Sequence, residues 1–195
     1  MTKKAIEKIS SAIIHAEICP KSQREILLYG LRKIVNYIQQ VLLLAIIALP
    51  LGLGLHVLLF TMFYCPLRTK VGGAHSNSHI GCLTVYTVIS VLSAVLSCAV
   101  PIQPVLPAMV SVLSAVIVFL RAPVVHPNAP KRETALRKCR RQGRVIVCLE
   151  CIAICISSIL VPETVLPYIL CASLGMGTVS IFLLIPIFKR EEGKK

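Results

Sequence analysis

Hydrophobic residues occur in long blocks separated by short polar intervals. A helix needs about 20 residues to span a hydrocarbon core, and residues 80–100, 105–120 and 166–188 meet or approach that length. A fourth block covers residues 145–161, and a longer one covers residues 26–67. The pattern therefore predicts a polytopic, all-α membrane protein.

Residues 26–67 fit either one crossing or a tight hairpin of two. Pro50, Gly52 and Gly54 favour a reversal, because proline and glycine end helices. Cytoplasmic loops carry the excess of Lys and Arg, and two crossings place all 21 basic residues on that side. We therefore predict six transmembrane helices with both termini cytoplasmic.

A single membrane domain, residues 1–195, is expected. It begins with an amphipathic surface helix, residues 1–21, where Ile6, Ile9, Ile13 and Ile14 form one stripe. Residues 22–67 are expected to form the helical hairpin, and residues 68–82 the active-site loop and the start of the next helix. Helices three and four are expected at residues 83–120, a basic cytoplasmic loop at 121–144, and helices five and six at 145–188. Residues 189–195 are expected to form a cytoplasmic tail.

Composition narrows the function classes. Hydrophobic residues make up 56% of the chain and charged residues 15%, which excludes a water-soluble protein. Aspartate is absent, so no Ser-His-Asp triad can form, and no phosphate-binding P-loop motif occurs. The nine cysteines are scattered mainly through apolar segments, where a free cysteine acts as a small packing residue.

The first long helix carries polar residues in its inner half. Gln39 and Gln40 are the candidates for substrate binding if these groups face a wet cavity or the bundle interior. The alternative is that they mark the level of the lipid headgroups.

The polar interval 68–82 holds the candidate chemistry. Cys82 falls near the start of a predicted helix, where the partial positive charge favours a thiolate. A nucleophilic cysteine also needs a base, and His75 and His79 are the two within reach. His79 would share a helix face with Cys82, whereas His75 requires the chain to fold back, which Gly72 and Gly73 permit.

The same side chains allow a second function class. His75, His79 and Cys82 have acceptable metal-ligand spacing, so a non-enzymatic membrane transporter or metal-binding protein is the alternative. A fourth ligand is not obvious, and no metal site is assigned.

The stretch "RTKVGGAHSNSHIGC", residues 68–82, resembles the signature of the AgrB (accessory gene regulator B) family of Gram-positive quorum sensing. The shared features are an arginine, Gly-Gly-x-His, and a cysteine seven residues after that histidine. "RAPVVHPNAPKRE", residues 121–133, is also similar to the family, as are the chain length and the polytopic pattern.

The resemblance implies a membrane-embedded cysteine endopeptidase. Cys82 would be the nucleophile and His75 its base, with Arg68, Gly72 and Gly73 as supporting residues; His79 is outside the family pattern and has at most an auxiliary role. The enzyme would remove the C-terminal part of a quorum-sensing propeptide (AgrD-like) through an acyl-enzyme thioester. It would then promote cyclisation to a thiolactone or lactone.

The resemblance also implies the surroundings of the reaction. The protein would lie in the cell membrane, multi-pass, with its active site at the cytoplasmic face. Its partners would be the propeptide, the lipid bilayer and a second copy in a homodimer, with no nucleic acid and no cofactor.

Family propeptides end in an acidic tail, which the basic loop would attract. The candidate residues for this contact are Arg137, Lys138, Arg140 and Arg141. Basic cytoplasmic loops are also what membrane topology requires and what anionic lipids bind, so both interpretations stand at this point.

Overall fold

The computed structural model describes residues 3–16, 20–73, 79–124 and 133–192, and these residues form helices joined by short turns. The helices are α1 (Lys3–His15), α2 (Arg24–Ala48), α3 (Gly54–Val71), α4 (His79–Ala99), α5 (Val105–Arg121), α6 (Glu133–Leu160) and α7 (Leu166–Glu192). Two 3-10 turns, Lys21–Gln23 and Glu163–Val165, precede α2 and α7. The predicted all-α class is confirmed for this part of the chain.

The chain divides into two compact units, Met1–Ile47 and Ala48–Lys195. The first unit contains α1 and almost all of α2. In α1, Ile6 and Ser10 are buried while Glu7, Lys8 and Ile9 are exposed. Ile9 and Ser10 therefore depart from the predicted apolar stripe. The second unit contains α3 to α7 and the polar interval of interest.

The turn before α3 lies where the sequence predicts a helix break. α2 ends at Ala48, and the backbone N–H of Leu53 donates a 2.9 Å hydrogen bond to the carbonyl of Ala48. Gly52 has a φ of 71°, a conformation that a side chain disfavours. Residues Leu49–Gly54 thus form the turn in which α2 ends and α3 begins.

Helix α7 is central to the second unit, where it packs against α3, α4, α5 and α6. Its buried face is rich in small residues, among them Ala172, Ser173 and Ser180. Ser180 donates a 3.2 Å hydrogen bond to the carbonyl of Ser114 on α5. Small residues let membrane helices approach closely, where dispersion forces and such hydrogen bonds replace the hydrophobic effect.

The basic segment 121–144 was predicted as a loop, yet α6 begins at Glu133 and includes its second half. Helical preference explains the difference, because Ala, Leu, Lys and Arg are all good helix formers. Arg137 also forms a 2.7 Å ion pair with Glu133, four residues earlier, a spacing that supports helices. The cationic side chains are therefore displayed on a rigid element.

Four of the described helical segments are long and apolar enough to cross a membrane: Arg24–Ala48, Ile80–Ala99, Glu133–Leu160 and Glu163–Ile185. α5 is apolar but shorter. α3, which contains the second of the six predicted crossings, is not among these candidates. The protein is thus a membrane protein with several apolar helices.

The packing of α7 on α3 predicts that Gly175→Ala is destabilising. A Cβ at Gly175 would lie 2.7 Å from the backbone oxygen of Phe60, which cannot move aside as a side chain can. We expect a loss of about 1–3 kcal/mol relative to a matched control, the usual cost of overpacking. The loss of stability is measured by thermal unfolding of the purified protein in detergent.

The matched control is Gly177→Ala on the same helix. Its Cβ would meet Val110 Cγ1 at 3.4 Å, an ordinary contact, while both substitutions gain the same helix propensity of about 1 kcal/mol. The difference between the two variants isolates the steric cost. Equal melting temperatures would contradict the close approach of α7 to α3.

Candidate active site

Cys82 lies in the first turn of α4. It is the fourth residue of that helix, and its side chain is exposed. The free N–H groups of a first turn carry partial positive charge, which favours an anion there. His75 and the side chain of His79 lie outside the described residues. The choice of base therefore stays a prediction, whereas the predicted location of Cys82 near a helix start is confirmed.

The two adjacent glycines end α3 in backbone conformations that only glycine adopts easily. Gly72 has a φ of 76° and Gly73 a φ of 113°. A Cβ at Gly73 would lie 2.8 Å from the carbonyl oxygen of Phe182 on α7. These glycines therefore turn the chain sharply and seat it directly against the backbone of α7.

Arg68 lies one turn before the glycines and is turned towards them. Its Nη1 donates a hydrogen bond to the carbonyl of Gly72, and its guanidinium carbon lies 5.1 Å from the ring centroid of Phe182. These two contacts hold the cationic guanidinium at the end of α3, between the glycine turn and α7.

Aromatic side chains join α3 to α4 behind this cation. The ring centroids of Tyr64 and Tyr86 lie 5.1 Å apart, and the ring of Phe60 packs against both. Thr61 gives its hydroxyl proton to the carbonyl of Val57, so the 2.6 Å contact between Thr61 and Tyr86 is a bond donated by the tyrosine. Since Tyr86 is one turn after Cys82, this interface fixes the face of α4 that carries the thiol.

The segment after α5 also reaches the glycines. Val124 N–H donates a 2.9 Å hydrogen bond to the carbonyl of Val71, and Val124 pairs with Gly72 in a parallel bridge. Sequence reasoning noted the stretch around Ala122–Val124 only as part of a family resemblance and gave it no role. A main-chain contact between residues 52 positions apart leaves no local sequence signal.

The basic candidates lie on the first half of α6. Arg137, Lys138, Arg140 and Arg141 are exposed there. This part of α6 packs against the end of α3, since a Cβ at Gly143 would meet Val71 Cγ1 at 2.8 Å. The cationic surface therefore adjoins the helix end that carries Arg68. Gln39 and Gln40 lie on α2 in the first unit, where both are half-buried.

A second histidine–cysteine pair occurs at the other end of these helices. His56 on α3 is buried, stacks on Tyr168 of α7 at 4.2 Å between ring centroids, and has its Nε2 3.3 Å from Sγ of Cys98 on α4. The two residues are 42 positions apart in the chain, so the sequence alone did not indicate that they form a pair. His56 is buried against the ring of Tyr168, whereas Cys98 is exposed, as Cys82 is.

No group of three or more His, Cys, Asp or Glu side chains suited to a metal occurs in the described part of the chain. The ligand set predicted from sequence includes His75 and the side chain of His79, so it falls outside that part. The described residues at this end of α3 and α4 include the guanidinium of Arg68 and the rings of Tyr64 and Tyr86.

Comparison with known proteins identifies one family. The AgrB family model, described as accessory gene regulator B, matches residues 3–185. No curated protein and no solved structure matches the chain. The family match covers nearly all of the sequence, from α1 to the membrane-embedded part of α7. This chain therefore belongs to the AgrB family, accessory gene regulator B.

Proposed function

We propose that this protein is a membrane-embedded cysteine endopeptidase that processes an AgrD-like quorum-sensing propeptide. The observation that carries the proposal is an exposed cysteine in the first turn of α4, in a chain of the AgrB family. Cys82 is the nucleophile and His75 the base. Gly72 and Gly73 turn the chain just before His75, and His79 has at most an auxiliary role.

The first step is acyl transfer to the enzyme. His75 takes the thiol proton of Cys82, and the sulfur attacks the carbonyl carbon of the scissile peptide bond. The tetrahedral oxyanion that forms needs donors, and the backbone N–H groups at the start of α4 are the nearest candidates. His75 then gives its proton to the leaving amine, so that the C-terminal fragment departs and a thioester remains on Cys82.

The second step releases the product as a ring. A thiol of the bound peptide gives its proton to His75 and attacks the thioester carbon, which forms a thiolactone. The sulfur of Cys82 leaves as a thiolate and is reprotonated by His75; a peptide serine would give a lactone in the same way. The peptide nucleophile must be held against the acyl carbon and water kept away, which a site at the membrane edge favours.

The same proposal includes the topology. With six crossings and both termini cytoplasmic, Cys82, Arg68 and the basic half of α6 all lie at the cytoplasmic surface of the cell membrane. The substrate approaches there from the cell interior. We include a homodimer in the proposal because the chain belongs to the AgrB family; no other observation supports it.

Cys82→Ala and His75→Ala are expected to abolish processing, because each removes a group that bonds to or exchanges protons with the reacting atoms. His79→Ala is expected to retain it. Intact mass analysis of a co-expressed candidate propeptide detects the tail-less product. Processing that survives Cys82→Ala would overturn the cysteine-peptidase mechanism.

Cys82→Ser separates the peptidase from a transporter or metal-binding protein. A serine hydroxyl is a far weaker nucleophile in this site, so acyl transfer should collapse. A metal ligand role would tolerate serine as a weaker ligand. Metal binding that Cys82→Ser only weakens, in a protein that forms no processed peptide, would favour the second class.

The basic surface of α6 is proposed to bind the acidic tail of the propeptide. Charge reversal to Glu at Arg137, Lys138, Arg140 and Arg141 should reduce processing of an acidic-tailed peptide about tenfold or more at low salt, since each exposed pair contributes up to about 1 kcal/mol. The control is the same peptide with a neutral tail, processed by the same variant. Equal losses for the two peptides would argue for a role in topology or lipid binding instead.

The six-crossing topology is tested by cysteine labelling. Gln103→Cys, in the turn before α5, should react with a membrane-impermeant maleimide added to intact cells, whereas Gln142→Cys on α6 should react only after lysis. The parent protein gives the background from its native cysteines. Labelling of Gln142→Cys in intact cells would refute the proposed orientation.

A further inference from the structure

We propose that Cys98 is a second reactive thiol, with His56 as its base, which exchanges with low-molecular-weight disulfides at the end of α4 opposite Cys82. The product is a mixed disulfide on Cys98, so the pair is a site of reversible thiol modification. The reactivity is inferred from the contacts of the two side chains. The choice of a disulfide as the partner rests on the proposed six-crossing topology.

A thiol and an imidazole meet here across two helices. His56 is the third residue of α3 and Cys98 the second-last residue of α4, and Nε2 lies 3.3 Å from Sγ. The thiol can donate a hydrogen bond across this distance when Nε2 carries no proton. A nucleophile within hydrogen-bond reach of a base is the arrangement that activates a thiol, because the thiolate attacks faster than the thiol.

The thiol is open to a small reagent, whereas the imidazole is fixed. Cys98 is exposed, while His56 is 6% exposed. The ring of His56 stacks on that of Tyr168 at 4.2 Å between centroids, so α7 limits its rotation. An electrophile can therefore reach the sulfur while the base stays within reach of the thiol proton.

The second ring nitrogen of His56 supports a functional role. Nδ1 is buried and has no hydrogen-bond partner among the described residues. A buried polar atom without a partner costs free energy, and a phenylalanine ring would fill the same space against Tyr168 without that cost. Packing therefore does not account for a histidine at this position, whereas the contact of Nε2 with Cys98 does.

The exchange is a single displacement at sulfur. Nε2 takes the thiol proton as Sγ of Cys98 bonds to one sulfur of the disulfide, and the bond between the two disulfide sulfurs breaks. The Cys98 sulfur is oxidised and the departing sulfur is reduced. The departing thiolate then receives the proton from His56, which leaves a mixed disulfide, one small thiol and a neutral imidazole. Because burial disfavours a lasting imidazolium, the base acts during the attack.

The position of Cys98 along α4 indicates the class of electrophile. Residues 82 and 98 are 16 positions apart on this helix, which is about 24 Å at about 1.5 Å per residue. With Cys82 at the cytoplasmic surface, as proposed, Cys98 lies at the outer surface. Disulfides persist outside the cell, whereas the cytosol keeps thiols reduced. A small disulfide is therefore the electrophile that this thiol would meet.

The test is the rate at which oxidised glutathione modifies Cys98 in the purified full-length protein, followed by mass spectrometry of the Cys98 peptide at several pH values. His56→Phe keeps a ring against Tyr168 but removes the base, and His56→Gln keeps a polar group that accepts no proton. We expect both to slow modification about tenfold or more at neutral pH, because a positioned base commonly contributes at least that much. At high pH their rates should converge with the wild-type rate, because the thiol there ionises without a base.

Two native cysteines serve as controls within each sample. Cys82 lies at the other end of α4, so its rate should be equal in all three proteins. Cys171 lies one turn after Tyr168 on α7 and is fully buried, so its protection from modification shows that this end of the protein is folded. If His56→Phe exposes Cys171, His56→Gln decides.

Two results would overturn the proposed pair. One is a wild-type rate for Cys98 in a variant of His56 that still protects Cys171. The other is a ratio of variant to wild-type rates that stays constant with pH, since this would indicate a change in access to the sulfur rather than the loss of a base.

Intact cells test the choice of partner. Oxidised glutathione added outside the cells should modify Cys98 in the wild-type protein. Modification that occurs only after lysis would overturn the disulfide as the partner. Peptide processing depends on Cys82, so the two proposals fail separately. A Cys98 rate that depends on His56, in a protein that processes no peptide, would support this inference and remove the proposed function; processing with a Cys98 rate indifferent to His56 would do the reverse.

Discussion

The close approach of α7 to its neighbours is the constraint on which the second unit depends. Gly175 lets the backbone of α7 lie against that of α3, and further along α7 the carbonyl of Phe182 is covered by Gly73 in the same way. In a membrane, apolar surface gains nothing by leaving lipid for protein, so helices associate through such close packing and through hydrogen bonds between them. The candidate site is built at the end of this contact, where α3 stops and α7 continues.

Residues on α7 thus contribute both to helix packing and to the candidate site. The ring of Phe182 supports the guanidinium of Arg68 on one side, and its backbone receives the glycine turn on the other. The rings of Tyr64 and Tyr86 join α3 to α4 nearby. The packing of several helices thus holds this charged group among apolar segments without a carboxylate in the motif.

Much of this architecture follows from the sequence, since blocks of apolar residues locate the helices and Pro50, Gly52 and Gly54 locate the break before α3. Cys82 could be assigned to a helix start because the apolar block of residues 80–100 begins just before it. The extension of α6 back to Glu133 is not predicted, because positive charge suggests a cytoplasmic loop although Arg and Lys also favour helices. The contact of Val124 with Gly72 could not be found, because it joins residues 52 positions apart, and the choice between His75 and His79 stays a prediction.

The bridge between Val124 and the end of α3 is made by main-chain atoms. Such a contact depends on the register of the backbone. One residue inserted or deleted within residues 122–124 would shift which N–H faces the carbonyl of Val71, so the bridge fixes the length of the chain between the end of α5 and this point.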